Sequence, residues 1–181
     1  TRAIDAAIVV AALALAAALE RRIRRAWIPA AIAGMVALCA ALTILPYNEA
    51  VTGRADYPPH MAWSDSHWGP GVDRLGFGPN IGIRQWPNLD PLPGHGAPDV
   101  VLNINKNAFR TNADLFGWSF GSLAVIALGL AVRGWRRTDA ILAAMVGAYV
   151  AGYSTYWFSG GPDLGARYWY PLIVPFAVLT V

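Results

Sequence analysis

The sequence predicts an all-α transmembrane fold: a polytopic helical bundle of four full spans and a truncated fifth, with one large extracytoplasmic loop. Three observations predict it. Of 181 residues, 56% are hydrophobic and only 14% are charged, against roughly 25% charged in an average soluble domain. Four runs of 17 to 19 residues hold a single charge between them, Asp5. The arginines gather in two short linkers between those runs.

The runs are Ala3–Leu19, Trp27–Leu45, Leu115–Val132 and Ala140–Phe158. At about 1.5 Å of rise per residue each makes roughly 26–28 Å of helix, near a hydrocarbon thickness of about 30 Å. Backbone in lipid must satisfy its own hydrogen bonds, so helices are the expected crossing form. A fifth apolar run opens near Trp169 and is cut short, and the sequence reads as a piece of a longer chain. Three regions follow: 1–45 with two helices, the loop region 46–114, and 115–181 with the remaining helices and a short outer turn.

Charge sets the orientation. "ERRIRR" carries four arginines and "RGWRRTD" three. The positive-inside rule puts linkers 20–26 and 133–139 in the cytoplasm and loop 46–114 on the opposite, extracytoplasmic side. That loop has the reverse bias, five Lys/Arg against seven Asp/Glu. Its prolines argue against long regular elements. A short helix is expected at Leu102–Ala113, and aromatics such as Trp63, Trp68 and Phe77 argue for packing over disorder.

Motifs for chemistry are sparse. Cys39 stands alone, so no internal disulfide or thiolate metal site can form. His60, His67 and His95 lack zinc-site spacing. "LGFGPNIG" lacks the third glycine of a dinucleotide fingerprint and reads as a turn or a close backbone approach. Gly117 and Gly121 form a GxxxG that suits close helix packing. Asp73 and Arg74, at the head of "DRLGFGP", read as solvated loop charges or as a carboxylate available for acid–base work.

"WFSGGPDLGARYWYP" is the most unusual stretch. Pro162 suits the first turn of a helix, where Asp163 would favour the dipole. Arg167 then lies one turn on, among Tyr168, Trp169 and Tyr170. Two readings stand. A helix N-terminus beside a fixed guanidinium suits a phosphate. Alternatively, Arg167 snorkels to lipid headgroups and pairs with Asp163.

Four motifs occur in order: "LPYNEAVTGRADYP", "DRLGFGP", "NADLFGW" and "YWFSGGPDLGARYWYP". Together they resemble the C-terminal half of bacterial membrane glycosyltransferases of the GT-C type, relatives of the dolichyl-phosphate-mannose protein mannosyltransferases. The resemblance covers about Pro46–Pro171. It implies transfer of a sugar from a polyprenyl-phosphate donor to a glycan, lipid or protein acceptor on the outer face of the membrane, with no nucleic-acid partner. It implies that Arg167 and Tyr168 contact the donor phosphate, with Asp163 orienting Arg167. Tyr47, Asn48, Asp73, Arg74, Phe77 and His95 would shape the cavity or acceptor site. The catalytic carboxylate of such enzymes lies in an earlier loop, so no catalytic residue is assigned within these residues. No cofactor is expected. A divalent metal is allowed, since some relatives use one, but no ligand set is visible. Two other classes compete: a flippase for a lipid-linked glycan, and a non-catalytic membrane scaffold. The family pattern is closer to Gly-Pro-Arg-Tyr; here Ala166 replaces its proline.

Overall fold

The computed structural model describes residues 8–11, 27–83, 90, 92, 94–118, 121–160 and 166–180. Among them the regular elements are helices: α1 (Trp27–Leu42), α2 (Ile44–Thr52), α3 (Pro59–Trp68), α4 (Ala97–Asp114), α5 (Ser122–Arg133), α6 (Arg137–Tyr153), a 3-10 helix (Arg167–Leu172) and α7 (Ile173–Leu179). Residues 8–11 are also helical. Extended backbone pairs once among the described residues, antiparallel between Gly78 and His95.

The expected four full spans are not what the structure holds. Among the described residues, one helical stretch is long and apolar enough to cross a membrane, Gly34–Thr52, which runs through α1 and α2. It extends past the expected end at Leu45. Pro46 has no N–H to give the Leu42 carbonyl, and the helix takes a turn at Thr43 instead of ending. The Thr43 hydroxyl donates to the Ala40 carbonyl at 2.6 Å. Only 6% of this window is buried within the protein. Ile32, Met35, Val36, Leu38, Leu42 and Ile44 are each 50–65% exposed. A helix of a soluble core would cover these side chains.

The other expected spans fall short for local reasons. The run Leu115–Val132 does not start as helix. Leu115 to Trp118 form a turn, and Gly117 and Gly121 take φ of 70° and 90°. Both angles belong to the left-handed region, so these glycines break the run and are not a helix-packing pair. What remains is α5, 12 residues long, roughly 18 Å. The run Ala140–Phe158 gives α6, which starts inside the arginine linker and stops at Tyr153 after 17 residues. The truncated fifth run becomes the 3-10 helix with Pro171 inside it, followed by the seven-residue α7. Of the first expected span only residues 8–11 are described. Linker 20–26 lies outside the described residues.

The outer segment is more regular than its prolines suggest. α4 has 18 residues and begins five residues before the expected Leu102. Asp99 caps it by accepting the Gly96 N–H at 2.8 Å.

The main core joins Ile126 of α5, Tyr149 and Tyr153 of α6, Trp169 and Leu172 of the 3-10 helix, and Phe176 and Leu179 of α7. Ile104 and Ala108 of α4 and Ile8 and Val9 pack against it. One ion pair pins the α5–α6 hairpin. Arg133 grips Asp139 in a fork, at 2.7 and 2.8 Å, and also donates to the Leu179 carbonyl at 3.3 Å. Asp139 is 3% exposed and accepts the Arg136 N–H at 2.7 Å as well. The Arg133 guanidinium holds the Asp139 carboxyl down at about 2.

Two outcomes follow. A carboxylate with a depressed folded-state pKa contributes stability above its unfolded value, and that contribution is lost on acidification. Thermal stability should therefore fall as pH drops from about 4 to about 2, and Asp139→Asn should melt lower at neutral pH with a flatter acid slope. An unchanged melting profile for Asp139→Asn would remove the ion pair from the scaffold. Separately, Cys39 is exposed on α1. In proteoliposomes it should react with a lipid-soluble maleimide and resist a charged thiosulfonate. Ready labelling by the charged reagent would take this helix out of the bilayer.

Candidate functional site

The site is built where α6 ends. A helix C-terminus leaves its last carbonyls without intrahelical donors. Here Ser154 closes the helix, with its N–H and hydroxyl both donating to the Val150 carbonyl, at 2.9 and 2.6 Å. The chain then runs irregularly through Phe158. Three carbonyls in this exit turn accept from three distant segments. His95 meets Ser154 O at 2.9 Å, the Gly76 N–H meets Thr155 O at 2.7 Å, and the Asn103 amide meets Trp157 O at 2.8 Å. The outer segment is thereby docked on the exit turn.

Side chains of the turn answer in kind. The Tyr156 hydroxyl and the Trp157 indole N–H both donate to Oδ1 of Asp73, at 2.9 and 3.1 Å. Trp157 is buried with Val72 and Ile83 in a second apolar cluster, flanked by Trp68, Ile81, Tyr156 and Phe158. Burial, then the neighbouring Tyr168 and Asp73 oxygens, push the Tyr156 hydroxyl well above the usual range. Tyr156 therefore stays a neutral donor and Asp73 its acceptor.

Tyr168 extends the network. Its ring stacks on Tyr153 at 5.2 Å and meets Tyr156 edge-on at 5.5 Å. Arg167 is exposed. Its guanidinium lies 5.0 Å from the Tyr168 ring centre and donates to the Tyr168 hydroxyl at 3.4 Å. The Tyr156 hydroxyl has one proton to give and gives it to Asp73.

Of the residues named from sequence, Arg167 meets Tyr168, and Tyr168 and Asp73 both contact Tyr156. Arg167 begins the 3-10 helix and does not stand one turn inside an α-helix. Asp163 lies outside the described residues. His95 is buried and stacks on Phe77, with ring centres 5.2 Å apart and planes 10° apart. Arg74 is exposed, its side chain near Gly71. Tyr47 and Asn48 sit apart on α2. Tyr47 is exposed, and the buried Asn48 amide donates to the Ala55 carbonyl at 3.0 Å. "NEAVTGRADY" is thus a local helix-end motif, in which the Thr52 hydroxyl contacts the carbonyls of Asn48, Arg54 and Tyr57.

A cleft of about 420 Å³ opens beside His95, walled by Gly78, Pro79, Leu92, Pro98 and Asp99. Gly94 makes its wall feasible: it holds φ of 82°, and a Cβ there would lie 2.8 Å from the Gly78 carbonyl. Asp90 is buried behind it, over Gly82. Burial, then the charge of Asp99, raise its carboxyl above the usual range. No group of three or more metal-ligating side chains occurs among the described residues.

The sequence matches no protein-family model, no curated protein and no solved structure. The site therefore has to be argued from its own geometry.

Reading from sequence missed Tyr156, Trp157, Asn103 and Asp90. One signal was there for Asn103. Asp99, Asn103, Asn107 and Thr111 recur every four residues, and all four are buried on α4. A polar stripe at helical spacing marks a face that meets polar backbone.

Removing either donor to Asp73, by Tyr156→Phe or Trp157→Phe, should cost about 1–3 kcal/mol of stability. Because both reach one oxygen, the double variant should depart from additivity by about 0.5–3 kcal/mol. Strict additivity in chemical unfolding would show that the two bonds do not share Asp73.

Proposed function

We propose that this chain is part of a membrane-bound glycosyltransferase that moves a sugar from a polyprenyl-phosphate donor to an acceptor at the outer face of a bacterial plasma membrane. One observation carries the reading: Arg167 is exposed yet lies against the Tyr168 ring, which itself packs on Tyr153 and Tyr156. Positioning a guanidinium before the ligand arrives lowers the ordering cost of binding an anion. A planar fork also suits two phosphate oxygens at once. As the glycosidic bond to phosphate breaks, charge grows on the leaving phosphate, and a fixed cation stabilises that charge.

The surroundings fit a lipid-linked donor. Tyr170, Ile173 and Val174, just past Arg167, are 60%, 43% and 69% exposed. They offer apolar surface beside the cation, as a phosphate on a prenyl tail requires. The uncovered helix Gly34–Thr52 supplies a membrane anchor, and charge bias puts linker 20–26 inside and the segment after Thr52 outside. The catalytic carboxylate is not assigned to any residue here.

The test is sugar transfer by the full-length protein in membranes, from a radiolabelled polyprenyl-phosphate sugar. Arg167→Ala and Arg167→Lys should both lose transfer by about 10-fold or more, since removing one charged contact to a buried anion costs about 1.5–3 kcal/mol. Tyr156→Phe should fall less, because it frees the Tyr156 ring from Asp73 and reaches Arg167 only through the packing of Tyr168. Full turnover in both Arg167 variants would leave Arg167 as a headgroup anchor only.

A further inference from the structure

We propose that the α5–α6 hairpin docks side-on to an anionic lipid surface, with the outer stripe of α5 in the headgroup–acyl boundary and Arg136 and Arg137 on lipid phosphates. The rotation of α5 comes first. Ile126 is buried in the core, and Leu123 and Leu130 pack against it. A Cβ on Gly129 would lie 3.2 Å from the Thr180 carbonyl. These contacts fix which side of α5 faces inward.

The other side carries Ala124, Ala127, Leu128, Ala131 and Val132, and all five are exposed. Their spacing, i, i+3, i+4, i+7 and i+8, makes one continuous helical stripe. Leu128 is 63% exposed and Val132 80%. Trp135, just past the helix end, adds an indole that is 61% exposed. A contiguous apolar stripe on a surface marks a contact with something apolar. Trp at its end matches a membrane interface, where that residue is enriched.

Length decides between crossing the bilayer and lying on it. α5 has 12 residues, which makes roughly 18 Å of helix against a hydrocarbon core of about 30 Å. A helix this short lies in the interface plane with its apolar side down. Linker 133–139 therefore stays on the side of the membrane that α4 occupies, against the expectation that it lies opposite loop 46–114.

Charge selects the lipid. The linker has three arginines and one aspartate. Arg133 is taken up by Asp139, holding both of its oxygens at 2.7 and 2.8 Å. Asp139 also accepts the Arg136 N–H. Arg136 and Arg137 are exposed, and their guanidiniums form no ion pair among the described residues. A lipid phosphate supplies the missing counter-charge, and a guanidinium can grip two of its oxygens. The arginine stems can lie along the apolar surface while their heads reach the phosphates. Each arginine near an anionic surface favours it by about 5-fold. The docking is independent of sugar transfer.

The test uses full-length protein in nanodiscs of phosphatidylcholine and phosphatidylglycerol. In a background without other cysteines, a nitroxide is attached singly at Ala124→Cys, Leu128→Cys and Val132→Cys. Its contact with oxygen and with a water-soluble nickel chelate gives its depth. All three labels should be oxygen-rich and share one depth, about 5–10 Å into the boundary. For the lipid class, one of the two lipids carries bromine on its chains, and the fluorescence lost in Trp135→Phe isolates the Trp135 signal. Brominated phosphatidylglycerol should quench that signal more than brominated phosphatidylcholine does. Arg136→Gln with Arg137→Gln should erase the difference, and Arg136→Lys with Arg137→Lys should keep it, since charge alone provides the attraction. Ready nickel contact would put the stripe in water, and poor contact with both reagents would put it against protein, a second copy included. A depth that changes by about 12 Å between Ala124 and Val132 would make α5 a crossing helix. Equal quenching by the two lipids, or a difference removed by inorganic phosphate, would deny the headgroup contact. Any of these results would overturn the proposal.

Discussion

The structure depends on how the carbonyls at the end of α6 are satisfied. Ser154, Thr155 and Trp157 expose three acceptors in a turn with no helical partners of its own. Donors arrive from His95, Gly76 and Asn103, which lie far away in sequence. A buried carbonyl left alone costs about 1–3 kcal/mol, so the outer segment cannot leave the turn cheaply. The pairing runs both ways, because Tyr156 and Trp157 of the turn supply both donors to Asp73. The loop is held by the turn, and the turn is held by the loop.

That mutual grip places chemistry at two ends of one short segment. At one end Tyr156 passes its fixed position to Tyr168 and Arg167. At the other, His95 is held by the Ser154 carbonyl and the Phe77 ring beside a cleft. Neither end has a carboxylate set for metal, and neither has an activated nucleophile among the described residues. Arg133 and Asp139, at the opposite end of α6, serve stability alone: they lock the α5–α6 hairpin from which the exit turn projects.

Part of this was legible in the sequence. The apolar run Ala140–Phe158 did mark α6, and "LGFGPNIG" did read as turn and close approach, with Gly76 and Gly82 at φ of 115° and 96°. Hydropathy misled at Leu115–Val132, because it counts Gly117 and Gly121 as permissive residues and cannot see their left-handed backbone. It also stopped the second run at Leu45, where the polar Tyr47, Asn48 and Glu49 follow, although the helix bends past Pro46 and continues to Thr52. Asp73 read as a solvated charge because its partners lie 83 and 84 residues away. No local pattern encodes such a contact. The same holds for His95, whose Nε2 meets the Ser154 carbonyl 59 residues away.

The grip of loop on turn is most directly tested at the Gly76 amide. It lies in an irregular segment and would exchange with solvent freely unless it donates to Thr155 O. Hydrogen exchange on the full-length protein in nanodiscs should show Gly76 protected to the same degree as the amides of α6, with Asp73→Asn speeding its exchange. Exchange at the rate of an unstructured loop would contradict the docking, and with it the placement of Arg167, Asp73 and His95 around a common turn.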